Sequence, residues 1–243
     1  MMKKIIELTK YGLHIYFKGS RFIMPLVAVI VYQYVMYTVM PTDIVESYVM
    51  SCYLAFFILI FTGVSVAADE DQVMEQIQLL RVRSSSCYYM GKTAVLLVLG
   101  LFVSAVCVLF PVVQDLLNHK ELFLRPLTAG DVLNAFILVA GCSFAGGALG
   151  SFLHPRVMKD RKLAVSLTIL LSILTVVRTV LAKEVPLFKF VAWVLPPVDN
   201  VSYVYSDAGK FHLKQTILIF AALAAYGAVL SFIKSYICHK RKF

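Results

Sequence analysis

Six apolar stretches recur along the chain, at residues 22–40, 48–68, 93–113, 132–153, 163–181 and 215–234, with shorter polar segments between them. A helical run of about 20 apolar residues crosses the hydrocarbon core of a bilayer. The pattern predicts an all-α membrane protein: one six-helix transmembrane domain over 22–236, then a short basic tail over 237–243. Little chain remains for a soluble domain.

Residues 1–21 follow a different period. Lys3, Lys4, Glu7, Lys10, Tyr11, His14 and Lys18 fall on one helical face, and Ile5, Ile6, Leu8, Gly12, Leu13, Tyr16 and Phe17 on the other. That is the 3.6-residue period of an amphipathic helix with a cationic polar face. Such a helix is expected to lie in the headgroup plane with its apolar face down, and Gly19-Ser20 to end it. The first apolar stretch is too long for a signal core and lacks a small-residue cleavage site, so it is expected to stay in the mature protein.

The polar segments differ in kind. Pro41-Thr42-Asp43 is a tight turn, which makes the first two spans antiparallel neighbours. Residues 69–83 read as a short helix with Asp69, Glu70 and Asp71 at its start and Arg81 and Arg83 at its end, matching the helix dipole. Val73, Ile77 and Leu80 form a narrow apolar stripe on it, flanked by Met74. It is too polar to span, so it is expected at a membrane face with one adhesive side. Ser84-Ser85-Ser86 ends it, and Tyr88-Tyr89 make an interfacial belt. Residues 185–212 contain the run Leu187-Phe188-Lys189-Phe190-Val191-Ala192-Trp193-Val194-Leu195 followed by Pro196-Pro197. This run is apolar but too short to cross; a re-entrant hairpin is expected, turning at the prolines, with 199–209 returning at the surface. In the fourth stretch Gly146 and Gly150 have the spacing of close helix packing, and alanines and Gly227 enrich the sixth.

Charge then fixes an expected orientation. Of 243 residues 60% are apolar, and the net charge is +9. The cations sort by segment: Lys3, Lys4, Lys10, Lys18 and Arg21 precede the first stretch, Arg81, Arg83 and Lys92 follow the second, and Arg156, Lys159, Arg161 and Lys162 follow the fourth. Lys234, Lys240, Arg241 and Lys242 close the chain, and the alternate gaps are poorer. The positive-inside rule places both termini of this multi-pass protein in the cytoplasm. The same sorting turns the basic charge toward anionic lipid and away from nucleic acid.

Candidate chemistry is sparse. Met90-Gly91-Lys92-Thr93 resembles the end of a phosphate-binding loop, but Ser86 occupies the place of its first glycine and an apolar span follows. The five cysteines, Cys52, Cys87, Cys107, Cys142 and Cys238, show no paired spacing, and the histidines show no metal-ligand spacing, so no metal site and no disulfide framework is expected. The spans carry only Gln33 and, near one end, Arg178, which is expected to snorkel outward. Ion-coupled transport normally places ionisable residues at membrane depth. If the protein moves a cargo, the energy is expected from a partner. No catalytic residue is assigned.

The layout resembles the ABC-2 type transporter permease family, the membrane subunit of bacterial ATP-driven exporters. The amphipathic leader resembles that family's elbow helix. Residues 69–83, with Ser84-Ser85-Ser86 and Tyr88 to Lys92 after them, resemble its coupling helix, and 185–212 resemble its re-entrant hairpin before the last span. The resemblance implies a non-enzymatic transport subunit that pairs with a second copy or a paralogue. Its coupling helix docks a separate cytoplasmic ATPase, which holds ATP and Mg. In that role Val73, Ile77 and Leu80 fill a cleft on the ATPase while Asp69, Glu70, Glu75 and Arg81 set register. The implied cargo is hydrophobic or amphipathic: a peptide, drug or lipid. Aromatics Tyr34, Tyr37, Phe188, Phe190 and Trp193 are candidates for an apolar gate or for interface anchors. Two other readings stay open: an intramembrane peptidase or transferase, with Cys87 and His154 on one side, and a non-transporting membrane immunity protein.

Overall fold

The computed structural model describes residues 2–68, 72–153, 157, 158, 160–185, 192, 194–204 and 211–240. It is all-helical, with helices α1 (Met2–Lys18), α2 (Ile23–Met36), α3 (Ile44–Ala67), α4 (Gln72–Val82), α5 (Ser85–Leu117), α6 (Ala129–Phe152), α7 (Arg161–Val176), α8 (Arg178–Glu184) and α9 (Leu213–Lys240). A 3₁₀ helix covers Val198–Val204.

Among the described residues four helices, α3, α5, α6 and α9, are long and apolar enough to cross a bilayer. Two further candidate crossings are broken. Helices α1 and α2 meet at 76°, and α7 and α8 at 71°. Counting each bent pair as one span gives six. The first break follows from Gly19-Ser20, where Ser20 takes φ 54°, a left-handed conformation that stops a helix. The second falls inside an unbroken apolar run, between Val176 and Arg178.

Local chemistry starts the helices where the apolar runs begin. Asp43 Oδ1 accepts from the amides of Val45 (2.8 Å) and Glu46 (3.1 Å) at the start of α3. Ser84 Oγ accepts from Cys87 N at the start of α5. Asp160 Oδ1 accepts from Lys162 N at the start of α7. At α6, Thr128 and Asp131 form a reciprocal capping box, which satisfies amides the helix leaves open.

The core is the pair α3 and α6, flanked by α5 and α9. Their axes approach because α6 has no side chain where they cross. A Cβ on Gly146 would stand 2.3 Å from the Phe56 carbonyl oxygen, and one on Gly150 2.1 Å from that of Ile60. Helix α5 joins α6 through Ser104 Oγ and Ser143 Oγ, 3.1 Å apart. Helix α2 is tied in by Gln33, wholly buried, whose Nε2 donates to Ser51 Oγ (3.4 Å) and the Cys107 carbonyl (3.3 Å).

The turns at one end of the bundle pair with each other: Thr42 N donates to Leu122 O and Leu124 N to Thr42 O. Arg125 forms a two-armed ion pair with Asp131 at 2.7 and 2.8 Å. Donating to the Asp131 carboxylate holds the guanidinium above its ordinary pKa.

Three expectations are corrected here. The apolar face of the leader does not lie on lipid as a whole. Leu8, Gly12 and Tyr16 pack on α5, because Gly91 leaves room for Leu8 and Gly12 leaves room for Val95. The part of 199–209 that is described, up to Val204, does not lie wholly at the surface: Val201 and Val204, with Val198 before them, are fully buried in the main core, while Ser202 and Tyr203 are exposed. Arg178 does not snorkel outward. Its Nη1 donates to the Leu195 carbonyl (3.3 Å) and lies 3.7 Å from buried Asp199, which Thr179 also contacts.

Candidate functional site

The end of the bundle opposite the Thr42–Leu122 pairing gathers α4, both ends of the α3–α5 connection, the end of α9 and the first half of α1. Helix α4 is the short polar helix expected at 69–83. Its described part is Gln72–Val82, with Glu75 in the first turn and Arg81 in the last. Asp69 and Glu70 lie outside the described residues. Arg83 takes φ 55° after the last turn and donates its amide to Leu79 O, a left-handed helix stop.

The two faces of α4 have opposite fates. Glu75 and Val82 are buried, at 4% and 9% exposure, and Leu79 packs on the cluster of Tyr88, Tyr89 and Cys238. Positions 75, 79 and 82 form one helical stripe. The other stripe points away from the protein: Val73 is 60% exposed, Met74 51%, Ile77 53% and Leu80 78%. An apolar face on a long span is ordinary in a bilayer. On a helix carrying Glu75, Gln76, Gln78 and Arg81 it is not, because a backbone this polar cannot enter hydrocarbon cheaply. Exposed apolar patches rimmed by polar groups mark interaction surfaces.

Glu75 is therefore corrected from a rim charge to an anchor. Tyr89 Oη donates to its Oε1 at 3.1 Å, across 14 residues of sequence. Beneath it, Lys234 of α9 is buried to 3% exposure, and its Nζ donates to Ser151 Oγ of α6 at 3.1 Å. Glu75, Lys92 and Cys238 lie within electrostatic reach of that ammonium. Ser85 Oγ and His239 Nδ1, 2.5 Å apart, join the first turn of α5 to the end of α9. The anchored face of α4 thus rests on a polar joint shared by α5, α6 and α9. Arg81 is exposed.

A groove of ≈ 290 Å³ separates α4 from α1. Lys4, Glu7, Leu8 and Tyr11 line one side; Gln78, Arg81 and Val82 line the other. Lys4 Nζ crosses it to donate to the Val82 carbonyl at 3.3 Å.

Of the candidate gate residues the two that are described, Tyr34 and Tyr37, have different surroundings. Tyr34 is 65% exposed on α2, whereas Tyr37 is buried against Phe110 and Phe123, with ring centroids 6.5 and 6.1 Å away. Phe188, Phe190 and Trp193 lie outside the described residues. Of the two residues considered for a thiol peptidase, Cys87 is buried and His154 lies outside the described residues. Among the described residues no group of three or more potential ligands is placed to hold a metal ion.

Sequence reasoning missed Tyr89 and Lys234. Tyr89 reads as half of an aromatic belt, and its bond to Glu75 is a tertiary contact. Lys234 did carry a signal: it interrupts the apolar run Ser231-Phe232-Ile233 and Ser235-Tyr236-Ile237, unlike the cations of the tail. In comparisons with protein-family models, curated proteins and solved structures, nothing matched this chain.

Proposed function

We propose that this chain is the membrane subunit of an ATP-driven exporter of the ABC-2 type and that α4 is the handle by which a separate ATPase moves it. The observation that carries the reading is the split of α4 into an anchored stripe and an unpartnered apolar stripe. Buried apolar anchors supply most of the affinity at an interface, while exposed charges tune specificity and rate. Val73, Ile77 and Leu80 have the spacing of such anchors, and Arg81 stands at their rim. The fixed stripe does the complementary work. Through Glu75 and Tyr89 a push on α4 reaches α5, and through the joint around Lys234 it reaches α6 and α9.

In this reading the α4 end faces the cytoplasm with both termini, α1 is the elbow helix, and the broken α7–α8 pair with 185–212 forms the re-entrant entry to the last span. Two such subunits pair in the bilayer. Between the Lys234 joint at the α4 end and the Arg178–Asp199 pair, the contacts of Gln33 with Ser51 and Ser104 with Ser143 are uncharged, which suits a hydrophobic or amphipathic cargo such as a peptide, drug or lipid.

The test is purification in mild detergent from the native host. A stoichiometric nucleotide-hydrolysing partner is expected. Val73→Asp, Ile77→Asp and Leu80→Asp together should remove it while the chain still inserts and elutes as a single species. Retention of the partner by the triple variant would take α4 out of the docking role, and purification with no such partner would remove the exporter reading.

A further inference from the structure

The groove between α1 and α4 has features that docking of an ATPase on the stripe of Val73, Ile77 and Leu80 does not account for. We infer that it is a headgroup site for an anionic phospholipid, with Lys4 and Arg81 holding the phosphodiester. Arg81 borders both the groove and the exposed stripe of α4, whereas Lys4, Glu7 and Tyr11 belong to the groove alone, so the inference does not depend on what grips that stripe.

Depth is the first argument. Leu8 seats against Gly91, two residues before the apolar run of α5 that starts at residue 93, so at 1.5 Å per residue the groove lies about 3 Å from that edge. This is where headgroups sit. Charge is the second. Lys4 is held in place by the Val82 carbonyl at 3.3 Å. Among the described residues neither Arg81 nor Glu7 enters a salt bridge. The lining thus holds two cations and one carboxylate, a net single positive charge that one phosphodiester neutralises. A guanidinium offers paired donors in the geometry a phosphate accepts. Tyr11 and Gln78, also on the lining, supply neutral donors for a glycerol or serine headgroup. Shape is the third argument: the groove is open, and beside it Met2 and Ile6 are 77% and 52% exposed on α1, offering apolar surface to acyl chains.

Glu7 makes the proposal sharp, because it opposes an anion. Removing a true ligand cation and removing Glu7 must act in opposite directions, whereas a diffuse basic surface responds to every α1 cation alike.

The experiment uses the purified full-length chain, stripped of lipid in detergent and titrated with short-chain phosphatidylglycerol. Bound lipid is counted by native mass spectrometry, with phosphatidylcholine and inorganic phosphate as separate arms. Lys4→Gln and Arg81→Gln should each weaken phosphatidylglycerol binding about tenfold, the scale of one charged hydrogen bond. Glu7→Gln should tighten it. Lys3→Gln and Lys10→Gln, exposed α1 cations off the lining, should leave it within about twofold on the same scale. Equal losses for Lys3 and Lys10 would overturn the site in favour of general surface attraction. Equal binding of phosphatidylcholine would overturn the anionic preference, and inorganic phosphate binding as tightly as the lipid would make it a free-anion site. Single-species elution of each variant separates these outcomes from misfolding.

Discussion

Gly150→Ala tests the helix pair on which the whole bundle rests. The added methyl would stand 2.1 Å from the Ile60 carbonyl oxygen and 2.8 Å from its carbon. Ordinary contact begins at 3.4 Å, so α3 and α6 must part by roughly 1 Å, which a close-packed interior accommodates only by losing neighbouring contacts. The obstacle is backbone within a helix and cannot rotate aside. Overpacking typically costs about 1–3 kcal/mol, and a rigid obstacle puts this site at the upper end, about 3 kcal/mol. For a chain of this size that corresponds to a fall in unfolding midpoint of roughly 6–12 °C. Gly130→Ala is the matched control on the same helix: its Cβ would meet only Thr128 Oγ1, at 3.8 Å. The assay is thermal unfolding in one detergent, followed by circular dichroism and by loss of the single elution peak. If Gly150→Ala and Gly130→Ala melt together, the close approach of α3 and α6 is wrong.

Two further outcomes follow from specific contacts. Tyr89→Phe removes the donor to Glu75 Oε1, a deletion worth about 1–3 kcal/mol at a buried carboxylate. Hydrogen exchange of the α4 amides should quicken about tenfold or more while α3 and α6 keep their protection; unchanged α4 exchange would mean that this bond does not hold the helix. Asp131→Ala breaks both the capping box and the pair with Arg125, and should lower stability by about 1–2 kcal/mol, most of it from the cap because the Arg125 side is partly exposed. The unfolding midpoint of Glu121→Ala, an exposed neighbour, provides the baseline.

The long spans were legible because little interrupts them: α3, α5, α6 and, up to Lys234, α9 follow apolar runs that only a bilayer or a core explains. The breaks were legible unevenly. Gly19-Ser20 marks the bend between α1 and α2, but the bend after Val176 has no glycine or proline to mark it, and a window of hydropathy slides across it. The buried face of the 3₁₀ segment was missed although its pattern was present: Val198, Val201 and Val204 recur every three residues, the period of a 3₁₀ helix, inside a stretch too polar on average to suggest burial. For α4, the exposed stripe at Val73, Ile77 and Leu80 could be taken from spacing alone. That Glu75 is buried could not, since its partner Tyr89 and the nearby Lys234 come from other helices and only the folded chain brings them together.

The account turns on α4 offering its apolar face to the cytoplasm. All five native cysteines are buried, so a cysteine placed at Ile77, itself 53% exposed, is the one thiol open to a membrane-impermeant maleimide. Ile77→Cys in intact cells should stay unlabelled, and should label once the membrane is opened and any bound partner has been washed away. Full labelling in intact cells would put α4 on the outside, beyond the reach of any ATP-driven partner.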